Sequence, residues 1–165
     1  MEIERKFLVD AKDLPDNYEA YPSRQLEQGY ISTSPSIRIR RDDARYILTC
    51  KGKALFKREE FELLLTKEEF DRLKTKVEGN WIKKRRYFLP VHPDGTMEND
   101  PLAKAELTIE LDIFDAPFAP LIYAEVEFST EEEAHAFIPP KWFGKDVTLL
   151  PEYQNNALSQ KRLDR

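Results

Sequence analysis

Charged residues recur at a spacing of two along this chain: Glu2-x-Glu4-x-Lys6, Arg38-x-Arg40, Thr49-x-Lys51, Glu60-x-Glu62, Lys84-x-Arg86, Glu110-x-Asp112 and Glu125-x-Glu127. In a β-strand, residues i and i+2 share a face, so each row presents two charged prongs on one side. Between them stand mostly apolar residues, among them Ile3, Ile39, Cys50, Phe61, Leu111 and Val126. The sign is sorted by strand. A solvated sheet face mixes charges so that opposite signs pair across strands. Acids beside acids instead repel, raising each other's proton affinity unless a divalent cation joins them.

The charges balance as a cation plus an anion would require. Glu2, Glu4, Glu60, Glu62, Glu110, Asp112, Glu125 and Glu127 carry eight negative charges, against six positive ones on Lys6, Arg38, Arg40, Lys51, Lys84 and Arg86. One or two divalent ions would neutralise or reverse that deficit and favour a polyphosphate. The donors are all carboxylates, which select hard ions such as Mg²⁺, Mn²⁺ or Ca²⁺ over zinc or copper. Only two histidines occur, His92 in a Pro/Gly turn and His135 in an acidic segment, and neither suits a ligand or a nucleophilic triad. The five glycines form neither GxxxxGK[ST] nor GxGxxG, so phosphate would be held by side chains, for which Arg and Lys are suited. In the run Lys83-Lys84-Arg85-Arg86, only Lys84 and Arg86 share the site face.

Around these rows the composition is that of a globular protein. The 165 residues suffice for one domain over 1–165, with 41% hydrophobic and 35% charged residues. A net charge of −5 argues against generic nucleic-acid or membrane-surface partners. The single Cys50 excludes an intramolecular disulfide and a thiolate cluster. No apolar run reaches membrane-spanning length and the start lacks a signal-peptide pattern, so the expectation is a cytoplasmic monomer or homodimer.

Eight strands are predicted, over 3–9, 25–32, 37–41, 46–51, 57–65, 81–89, 106–113 and 121–128. The connection Asp42-Asp43-Ala44-Arg45 reads as a hairpin. A capping box of Thr66 with Glu69 starts a helix predicted to run to Gly79, and Thr130 with Glu133 starts another that Pro139-Pro140 stop. A third is predicted over 153–163. The fold class expected is α+β, mainly β: an eight-stranded antiparallel barrel with peripheral helices. Helices with apolar stripes need an apolar sheet surface, which assigns Ile3, Phe7, Phe61, Leu111 and Val126 to the outside and the charged rows to the inside.

The ordered set of motifs resembles the CYTH domain, or triphosphate tunnel metalloenzyme, superfamily. It comprises Glu2-Ile3-Glu4-Arg5-Lys6-Phe7-Leu8-Val9, Gln28-Gly29-Tyr30, Arg38-Ile39-Arg40, Leu48-Thr49-Cys50-Lys51, Arg58 to Glu62, Lys84-Arg85-Arg86-Tyr87, Glu110-Leu111-Asp112 and Glu125-Val126-Glu127-Phe128. The resemblance implies an eight-stranded tunnel that binds a triphosphate and Mg²⁺ or Mn²⁺. It makes Glu2, Glu4, Glu125 and Glu127 the leading metal ligands, with Glu60, Glu62, Glu110 and Asp112 completing the metal sites. Lys6, Arg38, Arg40, Lys51, Lys84 and Arg86 would bind the phosphates. Glu2, Glu4, Lys6 and Lys84 are the expected catalytic residues. Tyr153-Gln154-Asn155-Asn156 lacks the lysine that similar bacterial members often carry just after the tyrosine.

The activity expected is metal-dependent cleavage of inorganic triphosphate to pyrophosphate and phosphate. Adenylyl cyclase and thiamine triphosphatase need the same triphosphate grip plus room for an organic end. A non-catalytic polyphosphate- or nucleotide-binding module would have little use for so many paired acids. A lipocalin-type barrel would need an apolar lumen.

Overall fold

A computed structural model describes residues 1–163. Nine strands form one sheet, β1 (Glu2–Leu8), β2 (Ser23–Thr33), β3 (Ser36–Asp42), β4 (Arg45–Lys51), β5 (Lys57–Arg58), β6 (Glu60–Leu65), β7 (Glu78–Val91), β8 (Leu107–Phe114) and β9 (Ile122–Glu127). Three α-helices accompany them: α1 (Lys67–Lys74), α2 (Glu131–Ala136) and α3 (Asn155–Gln160). The order across the sheet is β5-β1-β9-β8-β7-β2-β3-β4-β6, with every neighbouring pair antiparallel. Its two ends, β5 and β6, are consecutive along the chain and separated only by Glu59. The sheet therefore curls into a nearly closed barrel. The expected fifth strand is two strands in fact, because the chain leaves β1 at Arg58 and joins β4 from Glu60.

Local signals account for several boundaries. The β3–β4 hairpin turns on Asp43 and Ala44, with Asp43 at φ 53, a left-handed conformation that Asp tolerates better than most residues. Thr66 and Glu69 cap α1 reciprocally, Thr66 Oγ1 accepting from the Glu69 N–H and Glu69 accepting from the Thr66 N–H. That helix stops at Lys74 rather than continuing to Gly79, since Glu78 onward is drawn into the long strand β7. The third helix is shorter than 153–163, being preceded by the 3₁₀ turn Pro151–Tyr153.

The outer face carries the main apolar core, in which Ile3, Phe7, Leu89, Ile109, Leu111, Val126 and Phe128 pack with Ala134 and Phe137 of the α2 region. On the opposite flank Phe70 of α1 packs against Tyr46 and Trp81. Phe61 departs from the expected arrangement: it is 60% exposed on β6, outside the apolar clusters.

Apolar residues also point inward, at one end. Following the inward rows down the barrel, Lys6 gives way to Leu8, Glu125 to Tyr123, Asp112 to Phe114 and Lys84 to Ile82. Ile82, Phe114, Phe118, Tyr123 and Leu158 form a second buried cluster with Leu8 packed against it. This cluster makes a floor. The charged band above it is a blind well.

Candidate active site

The sheet order divides the well into two walls. Going round the barrel, β6, β5, β1, β9 and β8 are contiguous and carry Glu60, Glu62, Glu2, Glu4, Glu125, Glu127 and Glu110. The strands β7, β2, β3 and β4 are likewise contiguous and carry Arg86, Arg38, Arg40 and Lys51. All of these residues, with Lys6, line one cavity of about 570 Å³. Period-two alternation puts each row inside, and strand order gathers rows of like sign.

Two expected residues are placed differently. Lys84 and Asp112 are both 0% exposed and lie outside the cavity lining. Asp112 accepts from Arg86 Nε at 2.7 Å and Nη2 at 2.8 Å, and lies 2.7 Å from Lys84 Nζ. Fully buried and paired with two cations, Asp112 serves to support the well rather than to line it. It anchors Arg86, whose Nη1 also contacts Glu110. Burial alone would raise the Asp112 carboxyl, but Arg86 and then Lys84 hold it below the usual carboxylate range. Burial drives the Lys84 ammonium down towards about 7, against the pull of Asp112.

The basic wall is crowded. Burial, then Arg38 and Arg86, lower the Arg40 guanidinium to about 9. Burial and Arg38 also lower Lys51. Gln28, fully buried, accepts from Arg40 Nε at 2.9 Å and Nη2 at 2.8 Å, which fixes the direction of the guanidinium. Gln28 Nε2 and Arg38 Nε are buried donors without partners. Lys6, on β1 within the acidic wall, lies 3.5 Å from Glu125, its register partner on β9, and donates to the Tyr153 carbonyl at 3.2 Å.

The acidic wall is crowded too. Burial, then Glu125 and Glu2, raise Glu4 to about 7. Burial and a hydrogen bond with Glu2 raise Glu60 to about 7, and burial with Glu2 raises Glu127. Glu2 itself falls to about 2: burial would raise it, but Lys51, Glu60 and Arg58 outweigh that. Carboxylate oxygens are the donor set a hard divalent ion takes, so the wall fits such an ion in chemistry. Among the described residues no three such groups yet converge on one point. Glu2 and Glu4 are turned to Lys51 and Arg58 instead, with Arg58 Nε 3.0 Å from Glu2 Oε1 and Nη2 2.9 Å from Glu4 Oε1.

Arg58 was absent from the site expected from sequence, although extending the row Glu60-x-Glu62 back by two reaches it. Gln28 was likewise missed, since an amide between charged rows gives no signal of its own. Gln154, Asn155 and Asn156 also line the cavity, so the C-terminal segment meets the well through amides.

A nearly closed antiparallel barrel with one acidic and one basic interior wall defines a class of protein built to hold a polyanion with a cation. The chain matches the CYTH domain over residues 1–160, and it belongs to that family. It is 38% identical, over 96% of both chains, to a protein of Nitrosomonas europaea named inorganic triphosphatase. A solved structure of an inorganic triphosphatase superposes with a TM-score of 0.67 at 35% identity, covering 98% of this chain and 96% of the other. A protein from Pyrococcus horikoshii shares the fold at a TM-score of 0.56 and 20% identity, over 82% of this chain and 83% of its own.

Proposed function

We propose that this protein is a divalent-metal-dependent triphosphatase, cleaving inorganic triphosphate to pyrophosphate and phosphate, with Mg²⁺ or Mn²⁺ as the ion. The observation that carries the reading is the pair of opposed, like-charged walls around one cavity. Each wall is strained by its own charge, and a bound polyanion with a cation relieves both. The identity to a named inorganic triphosphatase supports the same substrate.

In this reading Arg38, Arg40, Lys51, Arg86 and Lys6 hold the phosphate oxygens and stabilise the charge that develops on the leaving group. Gln28 and Asp112 keep Arg40 and Arg86 aimed. Lys84 acts through Asp112 as a positioning residue rather than by touching substrate. Glu2, Glu4, Glu125 and Glu127 hold the cation, with Glu60, Glu62 and Glu110 lining the same wall. The bound ion would neutralise phosphate oxygens and lower the pKa of the attacking water. No side chain on the well is required as a covalent nucleophile. Residues 1–165 act as a single domain, in the cytoplasm, as a monomer or homodimer. Among the described residues no helix is long and apolar enough to cross a membrane.

The test is incubation with triphosphate, ATP and thiamine triphosphate in the presence of Mg²⁺ or Mn²⁺. Phosphate and pyrophosphate released fastest from inorganic triphosphate are expected; cyclic AMP from ATP as the main product would overturn the assignment. In Glu4→Gln turnover should fall by roughly a hundredfold or more while triphosphate binding is largely kept, as loss of an interaction needed for the chemical step predicts. Equal losses in both would indicate a binding module.

A further inference from the structure

Two basic side chains of the well, Lys6 on β1 and Arg58 on β5, stand on the acidic wall, and Arg58 is the one that bridges Glu2 and Glu4. It belongs to β5, which has only two residues and pairs with β1 through Glu2↔Arg58 and Ile3↔Lys57. Its guanidinium bridges two carboxylates, Nε to Glu2 Oε1 at 3.0 Å and Nη2 to Glu4 Oε1 at 2.9 Å. The side chain is only 12% exposed, so this is a desolvated, forked contact rather than a surface pair. Lys51 supplements it at Glu2 Oε1, 3.0 Å away. Glu2 and Glu4 thus have their inner oxygens engaged by a cation that the protein carries itself.

We propose that Arg58 is a resident counter-ion that occupies the Glu2–Glu4 pair until triphosphate draws it away, so that substrate and metal bind cooperatively. The inference rests on the triphosphatase reading. A divalent ion and a guanidinium repel, and both need the same carboxylate oxygens, so metal binding to the free protein must displace Arg58. A displaced guanidinium left without an anion inside the well is costly. A triphosphate supplies that anion. Arg58 lines the same cavity as Arg38, Arg40 and Lys51. Turning it from the carboxylates to phosphate oxygens exchanges its two charge-assisted hydrogen bonds for others of the same kind while freeing Glu2 and Glu4. By linkage, the metal then raises the affinity for triphosphate by the factor by which triphosphate raises that for the metal.

The experiment is a titration with Mn²⁺ alone, followed by the paramagnetic signal of the free ion, on the wild-type protein, Arg58→Gln and Arg58→Lys. Arg58→Gln should bind Mn²⁺ about tenfold more tightly than wild type, a coupling of ordinary size. Arg58→Lys, which retains the charge but lacks the planar fork that engages both carboxylates, should fall between the two and safeguards the result should the glutamine variant fold poorly. Calorimetric binding of triphosphate in the presence of a chelator should weaken in Arg58→Gln by a similar factor. Mn²⁺ binding that is equal to or weaker than wild type in both variants would overturn the role of Arg58, whether or not triphosphate is cleaved. Failure to cleave triphosphate would instead overturn the triphosphatase reading and leave the Mn²⁺ comparison standing.

Discussion

At the scale of single residues, position along the strand decides between lining the well and supporting it. Asp112 shares its strand face with Glu110, yet one register step further down it is sealed between Arg86 and Lys84. Removing its charge strands two buried cations. Asp112→Asn should therefore destabilise the fold by about 3–5 kcal/mol, measured by denaturant unfolding; a change below about 1 kcal/mol would contradict the buried pairing. Period-two alternation made the inward direction of these residues legible in the sequence. Depth was not legible, because it depends on the register of non-adjacent strands and on which inward residues fill the bottom. The cue available was the change from charged to apolar at Lys6 and Leu8, or Asp112 and Phe114. Arg58 was not legible for another reason: it stands on the two-residue strand β5, and its inward direction follows from pairing with β1 rather than from the row Glu60-x-Glu62.

At the scale of elements, α3 is tied to the barrel at the beginning of β7. Asn80 Nδ2 donates to the carbonyls of Leu158 at 3.0 Å and Lys161 at 2.8 Å. Gly79 beside it has φ +76, and a Cβ there would lie 2.1 Å from the Ser159 carbonyl oxygen. Only glycine allows so close an approach. Gly79→Ala should cost more than about 1 kcal/mol through backbone strain and the displaced helix. It should also raise KM for triphosphate more than it lowers kcat, since Gln154, Asn155 and Asn156 move with α3; thermal unfolding and steady-state kinetics check the two effects. The capping box of α1 and most strands were readable from local chemistry. The end of α1 and the split between β5 and β6 were not, because both are set by pairing with distant strands rather than by propensity.

For the whole molecule, the imbalance of the walls sets how stability depends on pH. Glu4 and Glu60 have folded values near 7 against an ordinary 4.5, so between those values the folded state retains protons that the unfolded chain releases. Stability must then fall as pH rises through that window. His92, raised by Glu98 and Glu106, acts in the same direction: its contribution is present below its ordinary 6.5 and lost as pH rises through the higher folded value. Glu2, Asp112, Glu125 and Asp146 are lowered, so their contributions are present above their ordinary values and lost on acidification. Lys84, lowered to about 7, works the other way only above that value, so with a chelator present thermal unfolding scanned from about pH 3 to about pH 7 should peak near pH 4.5, and Mn²⁺ should flatten the fall above the peak. A midpoint that climbs steadily from about pH 5 to about pH 7 without metal would contradict this account. The floor of Leu8, Ile82, Phe114 and Tyr123 has a consequence for traffic. A triphosphate leaving that way would shed its hydration among greasy side chains, so reactant and spent fragments are expected to share the charged doorway, and each turnover to clear the chamber by the route through which it was filled.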